Sequence, residues 1–578
     1  MTPQDITYFA ETDFRGKRTR FGIKSEDRSR HVYVIGKTGM GKSTMLENMA
    51  IQDIQNGNGV AFIDPHGGTA EKLLDYVPAS RINDVVYFAP FDLDHPISFN
   101  VMEDIGKDQR HLVVNGLMSA FKKIWVDAWS ARMEYILQNT LLALLEFPGS
   151  TLLGVNRVLS DKDYRQKVVA NITDPSVRSF WVDEFANYTE RMSLEAVPAI
   201  QNKIGQFTAN PLIRNIIGQP KSSFDFRRVM DDKKILIINL SKGRMGESNA
   251  NLLGSMIITK IYLAAMSRAN VAPAVLRALP PLYFFVDEFQ SFANESFANI
   301  LSEARKYKLS LTIAHQYIEQ MSEEVRAAVF GNVGSIISYR VGPFDAEVFE
   351  KIFGPTFMKE DMVNLGLYQM YLTLMINGVG SQPFSARGMG PIAQGGPSHR
   401  EEIITASRKN YAHGREVVEA EINRWHEENK IRPRASTSSP RPAPPRSGGM
   451  REAMAKAVIN TKTTPVLNRP PLPPPESPLA KVVSPPREAQ SLSLKTLQNK
   501  AEQEKEKSTG KHSADLRDVL KSVQAELKAA LPPRETFNVP KSVPPPPSSP
   551  PPPIPSTPPT PSNKGEVTED DLRRLLKV

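Results

Sequence analysis

Cysteine is absent from the 578 residues. That excludes disulfide staples and Cys-ligated zinc or iron–sulfur centres, and it fits a reducing compartment. No run of about 18 consecutive apolar residues occurs, and the first thirty positions carry many charges, so neither a membrane span nor a signal peptide is expected. The nine histidines show no metal-ligand spacing such as HExxH. Neither sign of charge dominates: 72 Lys+Arg against 63 Asp+Glu leave +9, a mildly basic balance compatible with nucleic acid but not diagnostic of it. Proline is sparse until residue 430, after which 29 of the 47 prolines fall.

Against these absences stands one dense motif. His31-Val-Tyr-Val-Ile-Gly-Lys-Thr-Gly-Met-Gly-Lys-Ser-Thr44 runs an apolar strand into a complete GxxxxGK[ST] phosphate loop. A triphosphate presents closely spaced anionic oxygens, and backbone N–H groups at a helix N-terminus can ring them only where no side chain intervenes. Gly36, Gly39 and Gly41 allow that approach, with Lys37, Thr38, Met40 and Thr44 completing the loop. Lys42 is expected to reach the β- and γ-phosphates, and Ser43 to ligate Mg²⁺. Ser43 to Asn56 reads as the following helix, stopped by Gly57. The cofactors expected are ATP and Mg²⁺.

A hydrolysing site needs an acidic pair. Leu282-Tyr-Phe-Phe-Val-Asp-Glu-Phe289 ends an apolar strand in Asp287, expected on the metal, and Glu288, expected to polarise the attacking water as general base. Residues 296–307 read as a helix and Leu309 to Ala314 as the next buried strand, with Gln316 just past its end. In a parallel sheet the strand C-termini share one rim, so Gln316 is expected beside Ser43 and Glu288, placed to sense the γ-phosphate. Arg305 precedes its strand and is expected to face away from its own nucleotide. It is either a solvated helix-end residue or a guanidinium that reaches a neighbouring subunit's phosphate.

These residues carry a family resemblance. GKTGMGKS, the second-strand motif Phe62-Ile-Asp-Pro-His-Gly67, VDEFQ, and SEARKYKL…AHQ resemble, in order and spacing, the HerA/FtsK group of RecA-fold motors. Within that group the chain is similar to the TraG/TraD-type coupling proteins of conjugative type IV secretion, over roughly residues 15–385. The resemblance implies ATP-driven translocation of DNA, single- or double-stranded, through a hexameric ring, with Arg305 as a trans-acting finger and Gln316 as a sensor. Relatives of this type usually begin with membrane helices, which this sequence does not show. This departure from the family pattern leads to the expectation of a cytoplasmic protein, or one peripheral at the inner face of the cell membrane, that either docks through a partner or belongs to a soluble branch. A motor for pilus assembly or protein export carries the same hydrolytic parts, and a nucleotide-gated scaffold is the non-enzymatic alternative. Asp64 and His66 are either part of the site or a satisfied strand-end turn. Arg340, placed within a strand at 335–341, is a weaker second candidate for a phosphate contact.

Alternating buried strands and helices predict an α/β, RecA-like P-loop fold with a mainly parallel sheet. Residues 1–103 hold an N-terminal hairpin and the first part of the core, and 231–390 the second part. Residues 104–230, with apolar positions at helical spacing such as Leu112, Val113, Leu117, Phe121 and Ile124, read as an all-α insertion. Trp125, Trp129 and Met133 are expected on one helix face as core rather than as a base-stacking platform. Lys122, Lys123 and Arg132 are either phosphate contacts or a solvated face. Tyr371 to Gly378 and Gln382 to Arg387 are expected to close the domain as an edge hairpin with an Asn-Gly turn. Residues 391–578 read as a disordered Pro-rich tail, since polyproline cannot build a core, interrupted by short helical islands at 404–428, 513–531 and 568–578. Such islands suit docking to a secretion-system or membrane partner.

Overall fold

The computed structural model describes residues 6–12, 17–103, 106–125 and 129–427. The islands expected at 513–531 and 568–578, and the proline runs around them, lie outside the described residues.

Eleven strands form one sheet. In chain order they are β1 (Ile6–Glu11), β2 (Arg20–Lys24), β3 (Val32–Ile35), β4 (Gly59–Asp64), β5 (Val85–Phe88), β6 (Ile235–Asn239), β7 (Leu282–Val286), β8 (Leu309–His315), β9 (Ser335–Ser338) and β10 (Gln369–Thr373). A two-stranded ribbon, β11 (Met375–Ile376) and β12 (Val379–Gly380), precedes the last sheet strand, β13 (Phe384–Gly388). Across the sheet the order is β2-β1-β13-β10-β9-β3-β8-β7-β4-β6-β5. From β9 to β5 every pairing is parallel. β10, β13, β1 and β2 continue it antiparallel.

The parallel strands are buried on both faces, which is why they read as continuous apolar runs. Side chains alternate between two cores with the period of two that a pleated strand imposes. Tyr33 and Ile35, Ala61 and Ile63, and Phe284 and Val286 point to one core; Val32 and Val34, Val60 and Phe62, and Tyr283 and Phe285 to the other. The phosphate-loop helix Lys42–Gln55 packs in the second core. The first core is shared with helices that enter the chain between β5 and β6, from Arg110–Ile124 to Phe226–Asp231. These dock on the core helix Glu247–Met266. At Gly116 a Cβ would lie 2.2 Å from Thr259 Cγ2, so only glycine permits this approach of the two helices. Glu247–Asn270 is long and apolar enough to cross a membrane, but 72% of its apolar window is buried inside the protein.

Three expectations change. The β10/β13 hairpin is not the sheet's edge, because β1 pairs with β13 (Ala10↔Gly388) and β2 becomes the edge strand. A Gln52 side-chain amide, bonded to Tyr8 N and O, fills the bulge in that N-terminal hairpin. The Asn-Gly turn does form, at Asn377 (φ 50°) and Gly378 (φ 80°), but it joins β11 to β12. The helix at 110–124 ends before Trp125 and the next begins at Ala131, so Trp125 and Trp129 share no helix face. Trp125 stacks on Phe121 instead, and Trp129 Nε1 donates to Glu134.

The island expected at 404–428 is present as two helices, Arg400–Tyr411 and Arg415–Glu427. Both pack on the body. Ile403 lies in the second core, Arg400 Nε donates to Asp75 at 3.0 Å, and Val418 and Ile422 cover Leu153.

Candidate active site

The register of the sheet gathers the chemistry on one rim. Ile35 is level with both His315 and Ser338, and Val286 is level with Ile63 and Ile313. Every segment leaving the C-terminal ends of β3, β4, β7, β8 and β9 therefore emerges around the same point.

The phosphate loop starts there. Gly36 N–H donates to His315 O (3.3 Å) and Lys37 N–H to Arg340 O (2.8 Å), so the loop is held between the ends of β8 and β9. Gly36, Gly39 and Gly41 have φ of 155°, 79° and 114°. A Cβ at Gly36 would meet Tyr339 Cβ at 2.6 Å, and one at Gly41 would meet the Tyr368 ring at 2.8 Å. Glycine is required at both by close approach as well as by backbone conformation. Lys37, Thr38 and Gly39 are exposed at the tip, and Met40 is buried beneath it.

Lys42 is 5% exposed and donates to Gly36 O at 2.7 Å and Lys37 O at 3.3 Å. Burial lowers its pKa, while Glu288 and Asp287 pull the other way. Ser43 Oγ donates to Asp287 Oδ2 at 2.8 Å. Asp287 is 4% exposed, and its pKa is raised mainly by burial, with Glu288 and Asp64 adding to the effect. Both Glu288 carboxylate oxygens are occupied: Gln316 Nε2 donates to Oε1 at 2.6 Å and Gln290 Nε2 to Oε2. Glu288 itself sits at φ 47°, ψ 49°, a left-handed conformation that a non-glycine residue holds only where the surroundings impose it. Lys42, Ser43, Asp287, Glu288 and Gln316 thus form one cluster.

The structure keeps three other sequence candidates apart from it or gives them other work. Arg305 is exposed in the 3₁₀ turn Ala304–Tyr307, before β8, on the rim opposite the phosphate loop. Asp64 accepts from His66 N–H (2.8 Å) and Ala70 N–H (3.0 Å), the satisfied strand-end turn, although it remains close enough to Asp287 to raise its pKa. Arg340 does not lie within a strand: β9 ends at Ser338, and the Arg340 carbonyl braces the loop at Lys37.

A hydroxyl and a carboxylate in direct contact, with a second carboxylate nearby, are an all-oxygen donor set of the kind that Mg²⁺ takes together with substrate phosphates and water. Ser43 and Asp287 are the residues that fit the ion.

Two neighbours of the cluster escaped the sequence reading. His315, fully buried, meets the Tyr33 hydroxyl through Nδ1 (3.1 Å), and burial, helped by Lys42 and Lys123, takes its pKa down to about 3. Lys123, read as a phosphate contact or a solvated face, is instead turned inward onto the segment that follows β7. His315 stands inside the AHQ block and Gln290 ends VDEFQ, but neither motif says what its side chain meets; the Gln290 bond to Glu288 depends on how that segment turns.

The sequence profile of the type IV secretory system conjugative DNA transfer family matches residues 7–339, more than half of the chain. The chain belongs to that family. It carries a phosphate loop on a mainly parallel α/β sheet, and the matched span runs from β1 through β9. Among solved structures, this family member is similar to the bacterial conjugative coupling protein TrwB lacking its first 70 residues: 15% identity over 67% of this chain and 91% of that truncated chain, TM-score 0.49. TrwB in complex with ADP and Mg²⁺ gives 16% identity, 65% and 90% coverage and a TM-score of 0.49. VirB4 of Thermoanaerobacter pseudethanolicus gives 13% identity, 66% and 96% coverage and a TM-score of 0.43. No curated protein matches the chain.

Proposed function

We propose that this protein hydrolyses ATP to drive DNA through a type IV secretion apparatus, working as a ring. The observation that carries the reading is the joined set Ser43–Asp287 and Glu288–Gln316 directly beneath a complete phosphate loop, in a member of the conjugative DNA transfer family.

The roles follow from position. Loop amides from Gly36 to Thr44 cradle the phosphates, and Lys42 gives up its two loop carbonyls to reach the β- and γ-phosphates. Ser43 and Asp287 hold Mg²⁺, which when bound offsets the charge that builds on the γ-phosphoryl oxygens. Glu288 takes the proton of the attacking water as that water's oxygen forms its bond to phosphorus and the β,γ-bridging bond breaks. Gln316 is hydrogen-bonded to the base and lies at the end of the strand beside the loop, so moving its amide to the γ-phosphate frees one carboxylate oxygen of Glu288. Arg305, on the opposite rim, acts only on a neighbouring subunit's nucleotide, which makes activity depend on assembly. The regions before 104 and from 231 to 390 serve as the motor core, with the helices between them as an all-α insertion. The Pro-rich tail serves as the docking arm to a secretion or membrane partner at the cytoplasmic side.

Steady-state phosphate release by the full chain, with and without single- and double-stranded DNA, tests the reading. Stimulation by DNA is expected, and turnover indifferent to both DNAs would refute it. Mixing Glu288→Gln and Arg305→Ala subunits tests the ring: each is inactive alone, and partial recovery on mixing is expected if the arginine works in trans.

A further inference from the structure

The acidic base is reached by a buried contact from the helical insertion. Lys123 closes the helix Arg110–Ile124, and its Nζ donates to Gln290 O at 2.6 Å and to Ala293 O, two carbonyls of the segment that follows Glu288. Phe292, between those carbonyls, is anchored separately, since a Cβ on Gly254 would fall 2.3 Å from its ring. Gln290 is the residue whose side-chain amide grips Glu288 Oε2. The helix that carries Lys123 is itself fixed, through Gly116, against the core helix at Thr259.

The bond is costly to maintain. Burial brings Lys123 down to about 7, and the Gln290 and Ala293 oxygens it donates to are neutral carbonyls rather than carboxylates. A lysine serving only as surface charge has no reason to turn inward. The adjoining Lys122 does otherwise: it pairs with Glu134 at 2.7 Å. A cavity of about 550 Å³, lined by Ser119, Trp129, Asn294 and Gln320 among others, opens beside Lys123. There the ammonium bridges from the insertion to the segment.

We propose that Lys123 is a positioning residue for hydrolysis: by pinning the Gln290 and Ala293 carbonyls it holds the Gln290 amide on Glu288 and so orients the base, making turnover depend on how the helical insertion is seated. This rests on Glu288 being the base. Supporting groups that lock a reacting side chain within a fraction of an ångström act on the chemical step rather than on substrate capture.

Steady-state ATP hydrolysis by the full chain is measured for Lys123→Met, Lys123→Arg, Gln290→Ala, the Lys123→Met/Gln290→Ala double variant and Glu288→Gln. Lys123→Met is expected to lower kcat about tenfold or more with KM within twofold. Lys123→Arg, which keeps donors for both carbonyls, recovers most of the loss. The double variant is no slower than Gln290→Ala, because the two changes cut one chain of contacts. Unchanged or raised kcat in Lys123→Met, losses that multiply in the double variant, or a loss that arginine does not rescue would each overturn the proposal. If Glu288→Gln keeps its turnover, the base assignment itself is wrong, and that outcome is separate from a silent Lys123.

Discussion

Removing Arg28 strands a buried charge in the middle of the motor core. Its guanidinium meets Asp53 through two bonds of 2.9 and 2.8 Å, donates to Thr7 Oγ1 at 2.8 Å, and lies 3.7 Å from the centre of the Tyr283 ring. Both side chains of the pair are 1% exposed. Burial alone would disfavour the charged guanidinium, but Asp53 outweighs it and holds the arginine above its ordinary pKa. The clamp joins the N-terminal hairpin, the far end of the phosphate-loop helix and β7. In Arg28→Met, Asp53 keeps the Asn58 amide at 3.1 Å as a side-chain donor but loses its counter-charge. Breaking such a pair from one side costs about 3–5 kcal/mol, a large part of the 5–15 kcal/mol typical of a whole domain. Replacing both partners, as in Arg28→Met/Asp53→Leu, removes the stranded charge and is expected to recover most of the loss. Urea unfolding of the parent, Arg28→Met, Asp53→Leu and the double variant, followed by tryptophan fluorescence, gives the midpoints. Turnover per folded molecule is expected to stay within twofold, because Asp53 lies about 16 Å along the helix from Lys42. A loss below about 1 kcal/mol in Arg28→Met, or a double variant as unstable as the sum of the singles, would refute the reasoning.

Three further outcomes follow from the site. Glu288→Gln loses the base, and its amide nitrogen also faces one of the two amides that now donate to the carboxylate. A fall in kcat of about 10²-fold or more is expected, with ATP binding by calorimetry retained; kcat above a tenth of the parent's would count against the role. Gly41→Ala combines φ 114° with a 2.8 Å approach to the Tyr368 ring, so loss of nucleotide binding is expected while the far-ultraviolet circular dichroism stays unchanged. Buried neutral histidines make the fold acid-sensitive. His31 is held down to about 4, by burial first and then Arg305 against a backbone hydrogen bond, and His315 to about 3. Both folded values lie below the unfolded value, so their contribution is complete above pH 6.5 and is lost as the unfolded chain takes up protons below it, at about 1.4 kcal/mol per pH unit for each. Asp287, raised by burial, works in the opposite sense, one group against two. The urea midpoint should fall steeply between pH 6.5 and 4.5 and less so in His315→Asn; a flat profile would contradict the assignment.

Some of the site was legible before any fold was known, because its signals are local. The phosphate loop needs its glycines, lysine and serine at fixed spacing, and the strand before it is apolar because a parallel strand is covered on both faces. Asp287, Glu288 and Gln316 were placed on the same rim by one rule, that parallel strands end together. Residues whose partners lie far along the chain carried no such signal. Lys123 and Lys122 are alike as sequence, yet one is buried against the segment after β7 and the other pairs with Glu134 at 2.7 Å. Arg28 and Asp53 lie 25 positions apart and drew no reading from the sequence; the fold brings them together beside Tyr283. The strand expected at 335–341 ends at Ser338 and leaves Arg340 outside it, because apolar pattern marks where a strand runs better than where it turns out.

By itself, the chain's order of residues determined a phosphate-loop signature, an acidic pair and a glutamine, which element each one ends, and that the strands between them are buried. Tertiary structure alone decided who stands beside whom: β1 next to β13, Gln290 on Glu288, Lys123 under the segment after β7, and Arg305 on the opposite rim from the site. The physical reason is range. Spacing within a loop or strand is set by covalent geometry over a few residues. Pairing across hundreds of residues is set by which packing buries the most apolar surface while leaving every buried charge and amide with a partner.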